Sequence, residues 1–167
     1  GNDSVSVAVL NGDVDNHADL KVRHNLRFAD PITTDAKVIP ALVDRGRSHD
    51  ATSLDAFLNA VTQFEGSVAI GYVSADEPGE MFLALNGSGQ GLYVGLAEDR
   101  FIVASEPYGT VEETLQYIRL DGETPLHKDQ PSSRGQVVRL SQAGAGTLDG
   151  ISMFAYDGTP IALVAED

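Results

Sequence analysis

Residues 5–10 alternate, with Val5, Val7 and Val9 on one side, the period of a strand that buries one face. The alternation runs straight into Asn11-Gly12, a pair suited to a tight turn because Gly accepts positive φ and Asn tolerates it. The period then turns helical. Val14, Ala18, Val22 and Leu26 predict a helix over 13–28, so the strand ends at a strand-to-helix corner and not in a hairpin. Such a corner offers a carboxamide and a backbone N–H at the mouth of a strand, and these can bind a carbonyl oxygen or an oxyanion. Asp30-Pro31 breaks the pattern, and Thr33-Thr34-Asp35 leads into a second helix striped by Val38, Ile39, Leu42 and Val43. Thr34 is placed to cap that helix and Asp35 to sit in its first turn, where the helix dipole favours a carboxylate. Pro40 predicts a kink or a late, irregular start. After a loop at 46–50, Ser53 caps a third helix with Leu54, Phe57, Leu58 and Val61 on one face, ending near Gln63.

From Gly66 the period becomes two. Strands are predicted at 67–74 and 81–85 across the Glu77-Pro78-Gly79-Glu80 turn, then at 92–96 and 100–104. A short helix over 106–115 precedes a strand at 117–120, and a polar, mobile segment follows with His127 and Pro131-Ser132-Ser133. Three late strands are expected at 137–140, 151–156 and 161–164, with Asp157-Gly158 turning between the last two. Helices segregated from antiparallel strands make this an α+β layered fold.

A chain of 167 residues fits a single domain over 1–167. Its net charge of −14 excludes nucleic acid and an anionic membrane surface as partners, since phosphate binding needs clustered Lys and Arg. No run is long and apolar enough to span a membrane and no signal sequence stands at the start. With no Cys there is neither disulfide nor thiolate metal site, and a reducing cytoplasm is the simplest location. Val5 already reads as part of an interior strand, so the fold is expected to be incomplete at the N-terminus, with Gly1 an added residue. His17 and His24 share a helix but lack a third ligand, and His49 and His127 fall in loops, so no metal site is expected. The loop Gly87-Ser88-Gly89-Gln90-Gly91 looks like a phosphate cradle but joins two strands, and no cofactor is expected. Glu112-Glu113 reads as a solvated face, and Glu65 and Glu106 as element-end charges.

Asn11-Gly12-Asp13-Val14-Asp15-Asn16, followed by Thr34-Asp35-Ala36-Lys37-Val38-Ile39, resembles the class II glutamine amidotransferases. These have an N-terminal-nucleophile fold with αββα layers, and the nearest subgroup is the glutaminase domain of the glutamine–fructose-6-phosphate aminotransferases. The resemblance continues through Phe64-Glu-Gly-Ser-Val-Ala-Ile, Leu83-Ala-Leu-Asn-Gly-Ser, Leu92-Tyr-Val-Gly-Leu, Phe101-Ile-Val-Ala-Ser-Glu and Leu120-Asp-Gly-Glu, nearly the whole chain.

It implies glutamine hydrolysis by an N-terminal Cys, with Asn11 and Gly12 holding the tetrahedral oxyanion and Asp35 receiving the α-ammonium of glutamine. Asn16 would support the corner by hydrogen bonding. The ammonia would pass to a sugar-phosphate isomerase domain. Against the family pattern, Cys is absent, the stretch carrying the Arg for the substrate carboxylate is missing, and Lys37 replaces an acidic residue near Asp35. The isolated chain is therefore expected to be inactive, and to dimerise or pair strands where its sheet is open. The alternatives are a non-catalytic glutamine-sensing or domain-docking module, and an amidotransferase of the amidophosphoribosyltransferase or asparagine synthetase type.

Overall fold

The computed structural model describes residues 5–28, 34–48 and 51–164; Gly1, Asp30-Pro31, Thr33, His49 and Asp50 lie outside them. In chain order come β1 (Ser6–Gly12), α1 (His17–Arg23), α2 (Val38–Arg47), α3 (Ser53–Val61), β2 (Val68–Ser74) and β3 (Glu80–Asn86). Then follow β4 (Tyr93–Leu96), β5 (Phe101–Ala104), α4 (Tyr108–Val111), β6 (Tyr117–Arg119), β7 (Gln136–Ser141) and β8 (Ile151–Ala155). The strands form a 5-stranded sheet, β1-β2-β3-β7-β8, and a 3-stranded sheet, β5-β4-β6. Every ladder among the described residues is antiparallel.

The alternation along β3 explains the layering. Phe82 and Ala84 face the helices, where they meet Ile39, Leu42 and Val43 of α2 and Phe57 and Val61 of α3. Leu83 and Leu85 face the other way, into a second core with Val138, Leu140 and Met153 under Val94, Ile118 and Leu120 of the smaller sheet. β3 is thus buried on both faces, as the middle strand of a helix–sheet–sheet stack must be. Phe57 anchors the helical side, its ring centroid 5.9 Å from that of Tyr72 and 5.6 Å from that of Phe82. The short α4 packs on the smaller sheet, with Thr110 against Gly95. This is the α+β arrangement expected from the sequence.

The first strand faces the opposite way from its pattern. Val5, Val7 and Val9 are exposed at 65%, 53% and 63%, whereas Ala8 and Leu10 pack against the helical core. Alternation identifies two faces but not which is covered, and the smaller sheet does not reach β1. The first helix is also shorter than predicted. It stops at Arg23 because Asn25 turns left-handed at φ 50°, and Val14, Leu20 and Leu26 are buried while Val22 is 81% exposed.

The irregular start foreseen for the second helix takes the form of a 3-10 turn at Asp35–Lys37. Pro40 then sits in the first turn of α2, where no N–H partner is needed, and the helix runs through Gly46 instead of ending there. A Cβ on Gly46 would come within 3.1 Å of that of Ala56, so glycine lets α2 lie close against α3. The cap of α3 is Thr52, which accepts from the Asp55 N–H; Ser53 instead donates to Glu77 at 2.6 Å. The predicted strand at 161–164 does not form. Beyond the Gly158 turn the chain makes one bridge, Phe154 to Pro160, and the Ile161 N–H donates to Met153 before pairing stops.

Tyr156 closes the helical core with its hydroxyl buried and, among the described residues, without a hydrogen-bond partner. Burial pushes its phenol well above the usual tyrosine range. Tyr156→Phe removes an unsatisfied polar atom and keeps the packing, so urea unfolding is expected to show equal stability or a gain of about 1 kcal/mol. A loss of that size would reveal a partner for the hydroxyl.

Candidate active site

The corner after β1 is built by close backbone approach. Gly12 has φ +102°, and a Cβ there would fall 2.1 Å from the Ser67 carbonyl oxygen. Only glycine fits both constraints. The Asp13 N–H donates to Ser67 at 3.1 Å and the Asp15 N–H to Glu65 at 2.8 Å, so the chain leaves the sheet alongside the turn that leads into β2. Gly66, at φ +107°, is the matching close approach from the other side.

Asn16 fastens this arrangement. It is buried, its amide donates to the Gln63 carbonyl at 2.8 Å, and its side-chain oxygen accepts from the Glu65 N–H at 2.9 Å. His24, the residue that follows α1 at its C-terminal end, is half-buried and lies 2.6 Å from the Gln63 side chain. Among the described residues no cluster of His, Cys, Asp or Glu could hold a metal. Support from Asn16 was implied by the family resemblance; the Gln63 contact from His24 was not foreseen, because it joins residues far apart in sequence.

Asp35 meets the same corner. Its Oδ2 accepts from the Val14 N–H at 2.8 Å. Thr34 occupies the cap position but makes no side-chain cap bond. Thr34 and Asp35, with Asp13, Val14, Asp15 and His17, line a shallow recess of about 430 Å³. Asn11 is exposed at the strand mouth and borders a second recess of about 240 Å³ between the sheets, with Val9, Gly71, Leu83 and Ala104. Asn11 and Asp35 thus both lie at this corner, joined through the turn 12–14, and each lines a recess beside it. Lys37 is turned onto Phe28, with its Nζ 4.7 Å from the ring centroid.

The glycine-rich connection also reaches the corner. Gln90 Nε2 lies 3.4 Å from the Cβ position of Gly12, and Gln90 lines a polar recess of about 480 Å³ with Tyr93, Arg119, Asp121 and Thr124. Although partial burial works against it, N–H donors from Glu123 and Thr124 hold the Asp121 carboxyl below its ordinary range. A separate polar cluster ties the far end of β1 to α2. Asp44 accepts from Ser6 at 2.5 Å and from the Tyr72 hydroxyl at 2.7 Å; burial, then Asp44, pushes that phenol up. The segment at 127–133 is stitched together by Ser133, which is buried and bonds His127 and Gln130.

The solved structures with this fold include the allosteric regulatory enzyme of purine biosynthesis, at TM-score 0.66 and 22% identity over 93% of this chain and 29% of that one. The glutamine phosphoribosylpyrophosphate amidotransferase of B. subtilis matches at TM-score 0.66 and 21% identity, over 93% and 30%. In sequence, the glutamine–fructose-6-phosphate aminotransferase of Oceanobacillus iheyensis is 30% identical over 112 residues, 67% of this chain and 18% of that protein. The Clostridium acetobutylicum and Clostridium tetani enzymes of the same name are 32% and 30% identical, over 70% and 75% of this chain. No protein-family profile matches. The chain spans about a fifth of the length of these curated relatives.

Fold and sequence together define a class II glutamine amidotransferase domain of the N-terminal-nucleophile type. Within that class, its sequence kinship is with the glutamine–fructose-6-phosphate aminotransferases.

Proposed function

We infer that residues 1–167 form one, partial amidotransferase domain whose corner binds glutamine within a longer, cytoplasmic protein. Asn11, through its side-chain amide, and Gly12, through its backbone N–H, are the oxyanion donors. Asp35 receives the α-ammonium group. The observation that carries this reading is the hydrogen bond from the Val14 N–H to Asp35, which fixes the carboxylate of the 3-10 turn ahead of α2 against the turn holding Asn11 and Gly12. Preorganised donors on such a rigid corner are each worth roughly 3–4 kcal/mol to a developing oxyanion.

The chemistry divides among polypeptide parts. A nucleophile attacks the side-chain amide of glutamine, the oxyanion collapses with loss of ammonia toward a sugar-phosphate isomerase domain, and water then cleaves the γ-glutamyl–enzyme bond to release glutamate and the free nucleophile. This chain supplies oxyanion donors and the ammonium contact but no Cys nucleophile. Incubated alone with glutamine, it is expected to release no glutamate above the buffer rate; measurable turnover would overturn the division of roles. The absence of any Cys also favours a second reading, a non-catalytic glutamine-sensing or docking module. A full-length gene carrying an upstream Cys and an Arg-bearing segment supports the enzyme; a gene lacking them supports the sensor. An acceptor of the phosphoribosyl type has weaker support, since the likeness to those structures extends to the fold alone. Self-association of the chain belongs to the same reading.

A further inference from the structure

The bond between Val14 and Asp35 joins two separately anchored parts of the chain, and both anchors lead to His24. One part is the strap 63–67, which connects α3 to β2. The corner hangs on it through Asp13 and Asp15, whose N–H groups bond Ser67 and Glu65, and through Asn16, whose amide bonds Gln63 and Glu65. Val14 lies between these fixed points, so the direction of its N–H follows the strap. Phe64 roots the strap in the helical core. Its polar root is Gln63, whose side-chain nitrogen donates to the Asn59 carbonyl of α3 at 3.0 Å and whose side-chain oxygen lies 2.6 Å from His24 Nε2. Because that oxygen can only accept, the imidazole donates from Nε2.

The other part is α2, which continues from the 3-10 turn bearing Asp35. Arg45, in the last turn of α2, donates to the His24 carbonyl. His24 itself closes α1, its N–H bonding Leu20 while Asn25 beyond it turns left-handed at φ 50°. One residue therefore holds the strap by its ring and the second helix by its carbonyl. From Asp35 the circuit runs through α2, Arg45, His24, Gln63 and Asn16, and returns to Val14.

We propose that His24 is a positioning residue for the glutamine corner: by tying the strap to α2 it sets the gap between the Val14 turn and the Asp35 carboxylate. The inference rests on the assignment of Asp35 to the α-ammonium of glutamine. His24 does not line the recess that holds Asp35, so it acts only through its partners. Leu20, Leu26 and Phe64 are buried around this end of α1 and keep their packing without the imidazole bond. Loss of that bond therefore bears on placement more than on folding. A carboxylate that drifts from its place keeps its charge but loses an aligned, charge-assisted contact with an ammonium group.

The test is calorimetric titration of glutamine into the 167-residue chain and its variants, at a temperature where circular dichroism shows each one folded. His24→Ala removes the Nε2 donor and leaves the backbone carbonyl for Arg45. It is expected to bind glutamine about fivefold more weakly, the equivalent of one net hydrogen bond. His24→Gln carries an amide nitrogen near the place of Nε2 and is expected to recover most of the affinity. His24→Leu fills the space without a donor and is expected to bind as weakly as the alanine variant. A purely structural role would lower the unfolding midpoint, leave the affinity of the folded protein unchanged and be served better by leucine than by glutamine. Wild-type affinity in His24→Ala, or rescue by leucine and not by glutamine, overturns the proposal. Asp35→Asn, titrated alongside, separates two failures. If it binds as tightly as wild type, or wild type binds no glutamine, the glutamine reading falls and the role of His24 with it. If Asp35→Asn loses affinity and the His24 variants do not, the role of His24 alone falls.

Discussion

Gly12→Ala is expected to lower stability by about 3–5 kcal/mol, because left-handed strain and a steric clash fall on one residue. The added Cβ would lie 2.1 Å from a backbone oxygen that is itself fixed in the sheet, since Ser67 accepts from Asp13 and leads directly into β2. Backbone cannot yield as a flexible side chain would. Either φ leaves +102° and Asn11 swings off the strand mouth, or the start of β2 separates from β1. Urea unfolding followed by circular dichroism measures the loss; a midpoint equal to wild type would mean the corner is looser than its geometry implies. Gly89, at φ +82° with nothing near its Cβ position, isolates the strain from the clash, and Gly89→Ala should cost only about 1 kcal/mol.

Asp35 has two duties that substitution can separate. One carboxylate oxygen accepts from the Val14 N–H, which lies in a fully buried residue. Asp35→Ala leaves that donor without its acceptor, costing about 1–3 kcal/mol of stability, and also removes the charge. Asp35→Asn keeps an acceptor oxygen for Val14 and removes only the charge. The asparagine variant should therefore fold almost as well as wild type while losing most of its affinity for an ammonium group, since a charge-assisted contact contributes about 1.5–3 kcal/mol.

The sequence carried the corner more clearly than the surfaces around it. Asn11-Gly12 at the end of an alternating run, and Asp35 just before an apolar helical stripe, were readable because each depends on local backbone chemistry. Val38, Ile39, Leu42 and Val43 were readable as core for the same reason, and all are buried. The facing of β1 was not readable, since alternation is symmetric until a covering layer chooses a side, and among the described residues the helices cover Ala8 and Leu10 while Val7 and Val9 stay exposed. The early stop of α1 at Arg23 was hidden because Val22 fits the helical period while pointing into solvent. Local propensity also favoured a strand at 161–164, but past Ile161 no strand among the described residues pairs with it. The contacts of Asn16, His24 and Gln63, and the Ser6–Asp44–Tyr72 cluster, join residues distant in the chain and leave no periodic trace.

Calorimetric titration of glutamine into wild type and Asp35→Asn tests the central claim most directly. The corner is expected to bind glutamine in the wild-type chain and to bind it at least tenfold more weakly in the variant, a difference of about 1.4 kcal/mol or more. Equal affinity in the two proteins, or no binding to wild type, would contradict the assignment of this corner to the amino-acid end of glutamine.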